Sequence, residues 1–180
     1  MPSVLMVPGY GNSGPLHWQS LWEAQHPAYQ RVEQDDWEQP HVQAWVDRLN
    51  AAIQQAPQSV VLVAHSLGCM TVVRWAQQYT GNVVGALLVA PVDLDEPTNI
   101  PLPVRQGGFT PIPLDPLPFP AIVVASTSDP YAHISRAQGF AKAWGASFVD
   151  VGDCGHLNAD AGFGPWAAGE QLLADLIPRA

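Results

Sequence analysis

Residues 60–75 read Val60-Val61-Leu62-Val63-Ala64-His65-Ser66-Leu67-Gly68-Cys69-Met70-Thr71-Val72-Val73-Arg74-Trp75, and they decide the fold. Val60 to Ala64 is a continuous apolar run rich in β-branched residues, the form of a strand buried on both faces. From Leu67 the pattern is helical, so the chain must turn within a residue or two, with Ser66 on the turn. The residues two before and two after the serine, Ala64 and Gly68, are small, as a strained strand-to-helix turn requires. A serine that only capped the helix would need neither the small neighbours nor the buried strand.

Outward from this stretch the same alternation repeats. Apolar runs at 3–7, 29–34, 60–64, 84–90, 121–125 and 147–151 predict strands. Helical patterns cover 16–25, 40–55, 67–79, 131–144 and 165–177. Repeated strand–helix units imply an α/β sandwich with a mainly parallel sheet between two helical layers. In the helix over 40–55, Val42, Trp45, Val46, Leu49 and Ile53 share one face, and Pro40 suits the first turn. Residues 93–120 break the alternation: they are rich in proline, contain Gly107-Gly108 and predict an irregular surface loop without helix. That loop reads either as a long crossover or as a wall or partial lid over a pocket.

The 180 residues, 47% hydrophobic and 13% charged, fit one folded domain spanning 1–180. A net charge of -9 without a basic run disfavours nucleic acid. No apolar stretch is long enough to span a bilayer and the first residues lack a basic leader, so the expectation is a cytoplasmic protein without a membrane partner. The two cysteines, Cys69 and Cys154, offer neither a disulfide framework nor metal-ligand spacing, and no metal or cofactor is expected.

A serine hydroxyl is a weak nucleophile and needs a neighbouring base, itself oriented by an acid. In hydrolases with this turn, the three follow in the order nucleophile, acid, histidine, each on a loop after a strand. Here Asp129 is the carboxylate of the loop after strand 121–125, and His156 lies on the glycine-containing loop after strand 147–151. Asp129, before Pro130, is also placed to cap the next helix. Asp93 and Asp95 are alternative acids. Cys154 is too close in sequence to His156 to be its partner nucleophile. His65 points away from the serine at so sharp a turn, which suits packing or hydrogen bonding.

The loop after the first strand is Pro8-Gly9-Tyr10-Gly11-Asn12-Ser13-Gly14-Pro15-Leu16-His17-Trp18. If the second strand adds outside the first, the sheet order is 2-1-3-4-5-6, and the loops bearing Tyr10 and Ser66 face one crevice at the switch point. The backbone N–H groups of Leu67 and Tyr10 are then the expected oxyanion donors, with Gly11 the alternative to Tyr10. Gly11, Asn12, His17, His65 and His133 are expected near the pocket, His133 at its edge. Gly9-x-Gly11-x-x-Gly14 runs into Pro15 and is a weak dinucleotide signal.

These residues resemble the small serine hydrolases of the retinoblastoma-binding protein 9 / YdeN family. The resemblance rests on the 8–19 loop, Ala64-His65-Ser66-Leu67-Gly68, Ser128-Asp129-Pro130-Tyr131 and the stretch from Gly155-His156-Leu157-Asn158 to Trp166. It implies a minimal α/β-hydrolase without a cap domain, a triad matching Ser66, Asp129 and His156, and action on small esters or amides. The expected reaction is hydrolysis of a small carboxylic ester through an acyl-enzyme on Ser66. The alternatives are an aminopeptidase-like amidase and an interaction module on a hydrolase scaffold.

Overall fold

The structure, a computed structural model, describes residues 1–96 and 99–177. Six strands form one parallel sheet: β1 Ser3–Val7, β2 Tyr29–Arg31, β3 Val60–His65, β4 Val83–Val89, β5 Ala121–Ala125 and β6 Ser147–Asp150. Their order is β2-β1-β3-β4-β5-β6, as expected. The helices are α1 Trp18–Gln25, α2 Val42–Gln55, α3 Leu67–Gln78, α4 Leu102–Gln106, α5 Ile134–Trp144 and α6 Ala167–Leu176.

The period of two along each strand divides the core. Leu5, Val7, Leu62, Ala64 and Leu88 face α2, α3 and α5, against Trp45, Leu49, Val72, Phe140 and Trp144. Val4, Met6, Val61, Val63 and Val89 face α1 and α6, against Trp18, Trp22 and Leu173. The central strands β3 and β4 are covered on both sides, which is why their sequences are apolar without alternation. Among the described residues no helix is long and apolar enough to cross a membrane.

Several boundaries differ from the sequence expectation. β2 ends at Arg31 rather than at 34: Val32 N–H still bonds the Met6 carbonyl at 2.9 Å, but the Gln34 side chain turns to the carbonyl of Trp45 in α2. β4 ends at Val89 because Ala90 takes φ 50°, and β6 ends at Asp150, whose Oδ1 accepts the N–H of Gly152. α2 starts at Val42 with His41 at its cap, so Pro40 precedes the first turn instead of occupying it. α5 starts at Ile134, not 131, because His133 Nδ1 accepts the Ser135 N–H.

The 93–120 segment corrects a firmer expectation, since it contains α4. Prolines at 101 and 103 are tolerated there because the first turn of a helix has no use for their missing N–H groups. The segment is bound to the body of the protein through its backbone. The Gly107 carbonyl accepts from Val42 N–H at 2.8 Å, the Pro113 carbonyl from Trp144 Nε1 at 2.7 Å, and the Phe109 and Pro111 carbonyls from Arg74. Ile100, Val104, Phe109 and Ile112 extend the α2–α3 core.

The tightest approach in the sheet is between α3 and the end of β1. A Cβ on residue 68 would lie 2.1 Å from the Val7 carbonyl oxygen and 2.8 Å from that of Pro8. Both are backbone atoms within the sheet end, so neither can yield. Gly68→Ala should cost at least about 3 kcal/mol in urea unfolding, at the upper end of overpacking effects; a loss below about 1 kcal/mol would show that α3 can withdraw from β1.

Candidate active site

β3 delivers Ser66 on a turn with φ 56° and ψ −122°, outside the regions that non-glycine residues favour. The turn is held by the Ser66 N–H, which donates to the Val89 carbonyl at 2.9 Å. Although Ser66 occupies the N-cap position of α3, its side chain makes no capping bond. Its Oγ instead lies 2.9 Å from His156 Nε2. The loop after β1 passes directly over this turn: a Cβ on residue 9 would lie 2.9 Å from Ser66 Cβ and 3.2 Å from Leu67 N, so only glycine allows the approach.

His156 Nδ1 is 3.0 and 2.9 Å from the two carboxylate oxygens of Asp129. An ionised carboxylate only accepts, so Nδ1 carries the proton and Nε2 presents its lone pair to the Ser66 hydroxyl. Both side chains are more than nine-tenths buried. Asp129 does not cap α5; its Oδ1 also accepts the N–H of Tyr131 at 2.9 Å, closing a local turn that orients the carboxylate. Asp93 and Asp95 are elsewhere, both paired with Arg136.

The loops carrying acid and base are joined to each other. Ser126 Oγ accepts the Cys154 N–H and Ser128 Oγ accepts the Gly155 N–H, each at 2.9 Å. On the far side, Trp18 Nε1 donates to the Leu157 carbonyl at 2.9 Å, from within a cluster with Trp22 and Trp166. Leu157 is held at φ 48°, a backbone strain that these contacts sustain. Cys69 is buried, its thiol pushed up by burial, and the Cys154 Sγ donates to the Val151 carbonyl.

A cavity opens above Ser66. Its polar wall includes Tyr10, Asn12, His17, His65 and Asn158, and its apolar wall comprises Val92, Ile100, Pro101 and Val104. The 93–120 segment thus supplies a wall of the site. Leu67 lines the cavity beside Tyr10, as expected of the two backbone donors. Gly11 and His133 do not line it: Gly11 N–H turns back to the Trp37 carbonyl, and His133 is taken up in capping α5. Among the described residues no cluster of histidine, cysteine or carboxylate side chains could hold a metal.

The family model for serine hydrolases matches residues 4–175. The chain belongs to the serine hydrolase family. Within it, a YdeN-like hydrolase of Pectobacterium atrosepticum is 36% identical, with a TM-score of 0.88 over 99% of this chain and 94% of that one. YdeN of Bacillus subtilis (strain 168), named as a hydrolase, is 27% identical over 168 residues, covering 89% of this chain and 88% of its own. The structure of the B. subtilis ydeN product superposes with a TM-score of 0.79 at 22% identity, covering 98% of both chains. The YdeN side of the family resemblance is therefore shown, together with the α/β-hydrolase fold and hydrolase activity.

Two features of this serine hydrolase site were not legible in the sequence. Arg31, at the end of β2, binds the first loop through Asn12 Oδ1 and the Ser13 carbonyl, both at 2.9 Å, while pairing with Glu23 at 2.6 Å. One arginine after a short strand carries no pattern. The other is a row of three histidines. His17 lies 4.7 Å from the His65 ring, which lies 4.8 Å from the ring of His156.

Burial, the Arg31 guanidinium and His156 push His17 from the ordinary 6.5 down to about 4. The folded protein binds this proton more weakly than the unfolded chain. The neutral ring's contribution is therefore complete above pH 6.5 and is lost as pH falls toward 4, up to about 3 kcal/mol. Urea unfolding of the wild type should show that fall, and His17→Gln should show a smaller one across the same window. Identical pH profiles for the two proteins would contradict the assignment.

Proposed function

We propose that the protein hydrolyses small, uncharged carboxylic esters through an acyl-enzyme on Ser66. The observation that carries this reading is the unbroken line from Asp129 through His156 to Ser66 Oγ, with each step at 2.9–3.0 Å. In this mechanism Ser66 Oγ attacks the ester carbonyl while His156 Nε2 takes its proton. The negative charge that develops on the carbonyl oxygen is met by the N–H groups of Leu67 and Tyr10. The tetrahedral adduct collapses, the C–O bond to the leaving alcohol breaks, and His156 delivers the proton to that alcohol. Water then repeats the sequence on the acyl-enzyme, releasing the acid and restoring Ser66. Asp129 holds the imidazole in the required tautomer and stabilises its charged form.

The cavity lining favours esters over the aminopeptidase-like alternative. Its wall residues are apolar or amide-bearing, and His17 and His65 are held neutral by burial and by neighbouring positive charge. An amino-acid derivative would bring in an ammonium group, and among the described residues no carboxylate side chain lines the cavity to receive it.

A fluorophosphonate probe followed by mass spectrometry should place one adduct on Ser66, and Ser66→Ala should lose both the adduct and turnover of p-nitrophenyl butyrate. An unmodified Ser66 in folded wild-type protein would overturn the enzyme reading and favour an interaction module. Run beside it, a panel of leucine and phenylalanine amides should be turned over far more slowly than p-nitrophenyl acetate and butyrate. Asp129→Asn should fold normally yet lose about four orders of magnitude in kcat, because the amide leaves the wrong histidine tautomer in place. Retention of more than about a tenth of wild-type turnover would remove Asp129 from the acid's role.

A further inference from the structure

His65 immediately precedes Ser66, is buried, and has no part in the chemistry described so far. Its Nε2 lies 2.9 Å from the main-chain carbonyl oxygen of His156. A carbonyl oxygen only accepts, so Nε2 carries the ring proton and donates it. The bond joins segments 91 residues apart, linking the turn that carries the nucleophile to the backbone of the base itself. Ser126, Ser128 and Trp18 restrain residues 154, 155 and 157. Among the described residues, His65 is the side chain that holds the main chain of residue 156.

The surroundings keep the ring in that state. The faces and edges of His65 pack on His17 at 4.7 Å, His156 at 4.8 Å and Trp18 at 6.0 Å, which leaves little room for a flipped ring. Burial first, then His156 and His17, push its pKa well below the ordinary histidine value, so it stays neutral beside a partner that must become an imidazolium. A carbonyl left without a donor in this buried place would be free to move toward other partners, taking the His156 ring with it.

We propose that His65 is a positioning residue whose Nε2–H, by binding the His156 carbonyl, sets the distance between the His156 imidazole and Ser66 Oγ. The proposal rests on the assignment of His156 as the base for Ser66. It predicts that the reach of the donor, rather than polarity or volume at position 65, governs turnover. A glutamine amide nitrogen reaches about as far from the backbone as Nε2; an asparagine nitrogen reaches only as far as Nδ1.

Steady-state kinetics on p-nitrophenyl butyrate with His65→Gln, His65→Asn and His65→Phe test this, together with thermal melts and the rate of fluorophosphonate labelling at Ser66. The Asn and Phe variants should lose about 10–100-fold in kcat, the scale of a small misplacement of reacting groups, with KM within about twofold. The Gln variant should recover most of the loss, and labelling rates should follow the same order. Wild-type kcat in folded Asn or Phe variants, or a Gln variant no better than Asn, would overturn the proposal. In wild-type protein, 15N NMR of the histidine side chains should find the His65 proton on Nε2; a proton on Nδ1 would overturn it without any variant. Labelled wild type with an equally reactive Asn variant removes this inference alone, whereas an unlabelled wild type removes the triad reading beneath it.

Discussion

Much of this molecule depends on how closely the start of α3 can approach the end of β1. The missing side chain at Gly68 lets the helix begin against the Val7 and Pro8 carbonyls, and the missing side chain at Gly9 lets the next loop pass over Ser66. Without both approaches the turn at Ser66 could not stay at positive φ, because its strain is sustained only by contacts on every side. The same two approaches place the backbone of Tyr10 and Leu67 beside one cavity. Neighbouring parallel strands thus become opposite sides of a site, at the point where the sheet order reverses.

The other half of the site is held by polar contacts between loops rather than by close packing. Serine hydroxyls of the β5 loop accept main-chain N–H groups of the β6 loop, while Trp18 and His65 donate to its carbonyls. This loop is therefore bound from the acid side, from α1 and from the nucleophile turn. Such bonds fix direction as well as distance, which suits a base that must stay aligned with both Asp129 and Ser66. The histidine row adds an electrostatic condition. Two of its members remain uncharged because they are buried near each other and near His156, so the proton-accepting ring is surrounded by dipoles rather than by further positive charge.

The proline-rich segment illustrates how local composition and tertiary packing divide the outcome. Its prolines exclude a strand in the sheet and forbid a long helix, and the segment does cross the surface irregularly. A single short turn, α4, forms where prolines fall at the permitted positions, and it aims Val104 into the cavity wall beside Ile100 and Pro101. Whether the segment was a bare connection or part of the site depended on where the chain crossed, which composition does not encode.

What the sequence determined by itself follows from short-range chemistry. Apolar β-branched runs separated by helical periodicity specify a parallel α/β sandwich. The small residues around Ser66 specify the turn, and chain order at strand ends singles out Asp129 and His156. These signals are legible because strand, turn and helix preferences act between residues near in sequence. The tertiary structure alone decided that Asp93 and Asp95 pair with Arg136, that Arg31 binds the first loop, and that Gly11 and His133 turn away from the cavity. It alone brought His17 and His65 into line with His156. Those contacts join segments tens of residues apart, and a lone arginine or histidine carries no periodic mark of its partner; only the packing of the loops at the sheet's carboxyl end brings them within hydrogen-bonding distance.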